Sequence, residues 1–443
     1  MAQEPRIDVS LTALKEGQSE PTKAELAEIA GSLKPEVWFT TALSGEAGGR
    51  DADVVWDLRG APYEGRTATG QAAVYYANPK LGLRKPFLFA DGFNYGPSDL
   101  PGLFSYFNTV ADGRPGLFDQ LLAKGYDIVL IGFTERHTHI QANAEVAIAA
   151  IQRAIAERKG DERLTVGGVS MGGIITRYAL AKLESDPQGD HQTANYLSFD
   201  SPHNGAWIPL ILQQMAYFFE DYTPAGPDGV KQAELIRSPA AQQLLWAWVE
   251  NAKYKGPVAT ASDLRKEFLA DLDRVGNFPR IPRKLGVSNG RRDGVGLPLP
   301  AGEVAFDWQA LIASATARFQ PNKGDKERIG GMHLGLAVRR STTTEVPALD
   351  SVPGGTLDSF GKVATALKAK IAEEYRSGTF VPAVSAAALD FDPVQWDVDP
   401  AAAISDAALQ NGHLDAVKFD DANTEHSHVS RVLVDWIVKQ LAG

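Results

Sequence analysis

The sequence predicts an α/β protein built on a mostly parallel sheet flanked by helices. Three observations predict it. Short continuous apolar runs, such as Pro86-Phe87-Leu88-Phe89-Ala90 and Tyr126-Asp127-Ile128-Val129-Leu130-Ile131, suit strands covered on both faces. Segments of helical periodicity lie between them. A glycine-rich turn, Gly167-Gly168-Val169-Ser170-Met171-Gly172-Gly173, joins one strand directly to one helix.

Taken in order, residues 1–84 form a polar N-terminal extension. It has a short helix expected near 23–33 and strands at 54–58 and 71–76, bracketing Gly- and Pro-bearing turns. Residues 85–205 are the first part of the core. Ile148, Ile151 and Ile155 recur at spacings of three and four and mark one face of a helix. Leu164-Thr165-Val166 leads into the glycine-rich turn, a helix follows over 174–183, and Tyr196-Leu197-Ser198-Phe199 is the next strand.

Residues 206–280 interrupt the alternation with aromatic-rich helical material, including Trp207, Tyr217, Phe218, Phe219, Trp246 and Trp248. This is expected to be a cap or lid, and equally suits a helical subdomain with its own small core. Residues 281–443 complete the core, resuming at Lys284-Leu285-Gly286-Val287-Ser288. A second insertion at about 300–375 carries Val352-Pro353-Gly354-Gly355 and a helix over 357–375. The last helix places Leu433, Trp436, Ile437 and Leu441 on one face. No internal repeat or low-complexity tract is visible.

Bulk properties narrow the function classes. A chain of 443 residues suits one large decorated domain or two ordinary ones. The net charge of −11 provides no basic excess to neutralise phosphates, so nucleic acid is not an expected partner. The absence of cysteine excludes disulfides, thiol nucleophiles and cysteine-ligated zinc. The N-terminus lacks the apolar run of a signal peptide, and no stretch is long and apolar enough to span a bilayer. A soluble protein is expected, with secreted, periplasmic and cytoplasmic locations all open because a removed leader leaves no trace.

Gly168-x-Ser170-x-Gly172 satisfies the nucleophile-elbow pattern of the α/β-hydrolase fold. A sharp strand-to-helix turn holds the serine strained with its Oγ exposed, and bulky side chains do not fit at the flanking glycines. Among 42 glycines the pattern alone is weak, and a phosphate-binding turn is the bland alternative. No Gly-Lys-Ser/Thr follows, and the expected strand, turn and helix are all in place.

A serine hydroxyl needs a base, which on this fold lies just before the last helix. Of eight histidines, His426 and His428 lie there, with His413 a distant third. For the acid, Asp293 follows the strand after the helical insertion and is the first choice. Asp200 ends the strand after the nucleophile, and Asp390 and Asp392 are weaker candidates. Two backbone N–H groups are needed for the oxyanion; Met171 and Phe93 are expected to supply them, with Gly92 allowing close approach.

These residues resemble a known family. Ser170-Met171-Gly172-Gly173, followed by Arg177-Tyr178-Ala179, is similar to the elbow and helix of bacterial lipase- and esterase-like α/β-hydrolases. Phe199-Asp200-Ser201-Pro202-His203-Asn204-Gly205-Ala206 is similar to the Pro-His-x-Gly segment of many lipases and of GPI inositol-deacylase-like proteins. The resemblance is strongest to large bacterial hydrolases frequent in Bacteroidetes. It rests on Gly92-Phe93, Ile140 to Ala144, Val352 to Gly355, Phe380 to Ala386, and Asn423 to His426. It implies ester hydrolysis but no particular substrate, favours His426 as the base, strengthens Asp200 against Asp293, and places His203 in a structural turn beside the site; no cofactor is expected.

Two other classes compete. His137-x-His139 and His426-x-His428 would suit a metal-dependent hydrolase, but no His-Glu-x-x-His helix accompanies them. A non-catalytic binding protein could use the same fold. Amidase, peptidase and thioesterase chemistry would use the same side chains. The apolar insertion favours an ester with an apolar moiety.

Overall fold

The computed structural model describes residues 50–442, apart from 188, 223–224, 227–228, 253–259 and 311–312. The helix expected near 23–33 lies outside the described residues.

The strands are β1 (Val54–Arg59), β2 (Thr69–Tyr75), β3 (Pro86–Ala90), β4 (Asp127–Phe133), β5 (Leu164–Val169), β6 (Thr193–Phe199) and β7 (Arg283–Ser288), then β8 (Val304–Gln309), β9 (Ala313–Arg318), β10 (Glu327–Leu334), β11 (Ala337–Thr343), β12 (Gly354–Leu357), β13 (Gly378–Pro382) and β14 (Ala416–Phe419). The α-helices are α1 (Leu100–Asn108), α2 (Leu117–Ala123), α3 (Ile140–Glu157), α4 (Met171–Ser185), α5 (Leu210–Phe218) and α6 (Gln232–Arg237), then α7 (Pro239–Leu244), α8 (Asp263–Arg274), α9 (Ser359–Leu367), α10 (Ala383–Ala386), α11 (Asp406–Gln410) and α12 (Arg431–Ala442).

Eight strands make the main sheet in the order β1-β2-β4-β3-β5-β6-β7-β14. The β1–β2 and β2–β4 pairs are antiparallel, and every pair from β4 to β14 is parallel. With helices on both faces, this is the α/β-hydrolase fold. All residues of β3, β4 and β5 are buried, as their unbroken apolar runs require. The pleat sends Leu88, Val129, Ile131 and Val166 to one face, against Ile151 of α3 and Ile174 of α4. It sends Phe87, Phe89, Ile128 and Leu130 to the other, against Phe104, Phe107, Phe118 and the α12 residues Leu433 and Ile437.

The sheet begins earlier than expected. β1 and β2 are its antiparallel edge rather than a separate extension, with residues 70–75 paired to 128–133 of β4. The expected boundary at 84 followed the start of the strand–helix alternation, which an antiparallel hairpin does not show.

The second insertion also differs. It holds a four-stranded antiparallel sheet, in the order β11-β10-β9-β8. Alternating small residues, Ala313-Ser314-Ala315-Thr316-Ala317, gave little periodic signal for it. This sheet shares a core with the helical insertion between β6 and β7: Ile211 and Met215 of α5 join Ala315, Ala317, Ile329 and Met332. Gly330 permits the contact, since an added Cβ would meet Ile211 at 2.7 Å. Among the described residues, no helix is long and apolar enough to cross a membrane.

Candidate active site

Four loops at the carboxyl ends of the parallel strands converge on Ser170. β5 ends at Val169 and α4 begins at Met171, so Ser170 makes the turn alone, at φ 55° and ψ −126°. Such a conformation costs about 1–3 kcal/mol and persists only where the surroundings impose it. Glycine is required on either side. A Cβ on Gly172 would lie 2.2 Å from the Ala90 carbonyl oxygen, and one on Gly168 would lie 2.3 Å from the Gly172 carbonyl carbon. Ser170 is itself 8% exposed.

His426 reaches Ser170 from the loop between β14 and α12. Its Nε2 lies 2.8 Å from Ser170 Oγ and its Nδ1 lies 2.6 Å from Asp200 Oδ2. The loop is fastened on both sides. His426 N–H donates to the Thr356 carbonyl of β12, while Asn289 accepts the Thr424 N–H and donates its side-chain amide to the His428 carbonyl. The Phe380 ring packs edge-on to His426, with centroids 4.9 Å apart.

Asp200 follows β6 and is fully buried. Its φ of 45° is a left-handed conformation that Asp and Asn tolerate better than most residues. Its N–H donates to the Val287 carbonyl, and its Oδ1 accepts the Asn289 N–H at 3.0 Å, leaving Oδ2 for His426. Gly355 packs against the same oxygen, where a Cβ would approach to 2.3 Å.

Asp293, the first choice from sequence, is not at this cluster. Its exposed carboxylate pairs with Arg291 and accepts the Val295 N–H, and Arg291 holds it down to about 2. Asp390 and Asp392 also point elsewhere, toward His413 and toward the backbone of their own turn. His413 stacks on Phe278, and His428 donates its backbone N–H to Glu425. The local spacing of Asp293 after β7 resembled a triad position, but the salt bridge with Arg291 takes its carboxylate away.

The loop after β3 lies against the serine: a Cβ on Gly92 would be 3.1 Å from Ser170 Cβ. The Met171 N–H, at the first position of α4, has no acceptor four residues earlier in the helix. Phe93 follows Gly92 directly. Sequence reasoning missed what holds this loop. Buried Asp91 accepts the Gly92 N–H and pairs with Arg136 at 3.2 Å, and Arg136 also donates to the Tyr95 and Gly96 carbonyls. Nothing in the local sequence around Arg136 announces this role.

His203 sits beside the cluster rather than in it. Its Nε2 is 2.8 Å from Ser198 Oγ and its Nδ1 3.3 Å from Arg177 Nη1. Burial and the Arg177 charge push its pKa well below the ordinary value, so it stays neutral. Arg177 lies over the Phe278 ring at 3.5 Å, and burial lowers its pKa to about 9. Of the two His-x-His pairs, His426 has both ring nitrogens engaged by Ser170 and Asp200, and His137 contacts Glu135. Among the described residues, no three His, Asp or Glu side chains are grouped to hold a metal ion.

One cavity lies beside the site and another lies away from it. One of about 30 Å³ is lined by Phe93, Ile208, Leu235, Ile236, Ala241, Leu244, Leu245 and Phe380. The other, about 420 Å³, runs along the β1–β2–β4 edge between Asp57 and Thr134 and includes no residue of the Ser170 cluster.

No protein-family model and no curated protein matches the chain. Solved structures similar to it include a Bacillus licheniformis lipase, 16% identical, covering 54% of this chain and 73% of that one at a TM-score of 0.29. A Pyrobaculum calidifontis esterase is 14% identical, covering 53% and 66% at 0.30. A thermostable carboxylesterase cloned from a metagenomic library is 13% identical, covering 60% and 74% at 0.30.

Proposed function

We propose that the chain is a serine hydrolase that cleaves carboxylic esters through an acyl-enzyme intermediate. The observation that carries this reading is the unbroken line from Asp200 through His426 to Ser170, at 2.6 and 2.8 Å, ending on a serine held at positive φ. A carboxylate only accepts hydrogen bonds, so His426 Nδ1 carries the proton toward Asp200 and Nε2 is left to accept from the Ser170 hydroxyl.

The reaction then runs in two halves. Ser170 Oγ attacks the ester carbonyl as its proton passes to His426 Nε2, forming a tetrahedral intermediate. The Met171 and Phe93 N–H groups stabilise its oxyanion. Collapse breaks the bond to the alcohol, which leaves with the proton from His426. Water repeats the sequence: His426 takes its proton, the hydroxide adds to the acyl carbon, and Ser170 departs reprotonated as the acid is released.

The test is hydrolysis of p-nitrophenyl esters, together with labelling of the protein by a fluorophosphonate. Wild type should turn over and label at Ser170; Ser170→Ala should do neither while keeping its circular dichroism. Undiminished activity in Ser170→Ala would overturn the assignment. Absence of both activity and labelling in folded wild type would favour the binding-protein reading.

A further inference from the structure

We infer that the substrate's acyl group is short and apolar, and that it is held in the cavity between Phe93 and Phe380. The inference rests on Ser170 being the nucleophile, and it names the substrate class of that same site.

The cavity adjoins the reacting atoms at two points. Phe93 is the residue after Gly92, whose Cβ position lies 3.1 Å from Ser170 Cβ. Phe380 packs on the His426 ring. Both phenylalanines are half-buried, whereas Ile208, Leu235, Ile236, Ala241, Leu244 and Leu245 behind them are buried. The rings therefore form the mouth and the aliphatic side chains of α6 and α7 form the floor.

Among the described residues the lining has no polar side chain, so it suits hydrocarbon and offers nothing to an alcohol, amine or charge. The acyl side is favoured because Phe93, whose N–H is assigned to the oxyanion in the proposed reaction, also contributes its ring to the mouth.

Size sets the chain length. A cavity of only about 30 Å³, closed behind by buried aliphatic side chains, suits a short tail rather than a long one. Each methylene buried there should raise kcat/KM about fourfold, until the floor is reached.

The experiment measures kcat/KM on p-nitrophenyl acetate, propionate, butyrate, hexanoate, octanoate and palmitate, and on ethyl, butyl and hexyl acetates. Wild type should peak at propionate or butyrate and fall at least tenfold by octanoate. Ala241→Phe fills the floor and should lower the butyrate-to-acetate ratio at least tenfold. Leu244→Ala enlarges it and should move the optimum one or two carbons longer; it needs no new space, so it keeps the test intact if Ala241→Phe does not fold.

Ser170-dependent hydrolysis that peaks at octanoate or palmitate overturns the inference and leaves the hydrolase reading standing. So do ratios unmoved in both folded variants. A preference that follows the alcohol in the acetate series overturns the acyl assignment. Loss of Ser170-dependent labelling and hydrolysis altogether removes the hydrolase reading and this inference with it.

Discussion

Replacing Asp200 with Asn isolates the part of the site that sequence left most open. The structure decides which way the new amide would face. Asp200 Oδ1 accepts the Asn289 N–H at 3.0 Å and Oδ2 lies 2.6 Å from His426 Nδ1. An asparagine has one acceptor oxygen and one donor nitrogen. The fixed Asn289 N–H claims the oxygen, so the NH2 turns toward His426. Nδ1 must then accept, Nε2 carries the proton, and the imidazole no longer takes the Ser170 proton. The backbone does not confound the test, because Asn tolerates the φ of 45° found here. A wrong tautomer of this kind lowers kcat by about 10⁴, or ~5 kcal/mol of barrier. The assay is kcat on p-nitrophenyl butyrate, with near-ultraviolet circular dichroism as a check on the fold. Asp293→Asn is the matched control and should stay within about twofold, since its exposed carboxylate meets only Arg291 and a backbone N–H. Asp200→Asn activity within tenfold of wild type, or a larger loss in Asp293→Asn, would refute the reasoning.

Three further perturbations follow from the geometry. Gly172→Ala puts a methyl 2.2 Å and 2.6 Å from the carbonyl oxygens of Ala90 and Asp91, neither of which yields easily; thermal melts should show a loss of at least about 1–3 kcal/mol, and an unchanged Tm would contradict the packing. Arg136→Met removes the partner of buried Asp91 and the donors to the Tyr95 and Gly96 carbonyls, so kcat should fall roughly 10²-fold, with KM changed far less, if the Phe93 N–H serves the oxyanion as proposed; a raised KM with kcat unchanged would point instead to substrate binding. Asp350 is buried with Trp207 Nε1 and the Gln320 N–H as donors, and burial lifts its pKa to about 6. Because the folded value exceeds the unfolded one, its contribution to stability is full below about pH 4 and is lost as pH rises through 6, by about 3 kcal/mol. The Tm of wild type should therefore fall relative to Asp350→Asn across that window, and a constant difference would refute the shift.

Much of the fold was legible because burial on both faces leaves a mark in the chain. The runs at 86–90 and 126–131 and the Ile148, Ile151, Ile155 stripe are direct records of the sheet and the helix covering it. The hairpin of β1 and β2 and the sheet over 304–343 were not legible as parts of larger layers. Their pairing partners are distant in sequence, and small or mixed residues serve as well as bulky ones where a neighbour fills the space. At the site, Ser170 was legible because a strained turn demands glycine on both sides, and that demand is local. Which aspartate faces His426 was not, because Asp200 and Asp293 both lie in turns that follow a strand of the core sheet.

The sequence by itself determined the parallel core, the elbow at Ser170 and the region from which the histidine comes, since each is written in neighbouring residues. Only the tertiary structure decided that Asp200 faces His426 while Arg291 holds Asp293 away, that Arg136 braces the loop carrying Phe93, and that Phe93 and Phe380 frame one apolar cavity. These are contacts between residues tens to hundreds of positions apart, and a side chain's partner across such a distance is set by how the layers pack and not by the residues beside it.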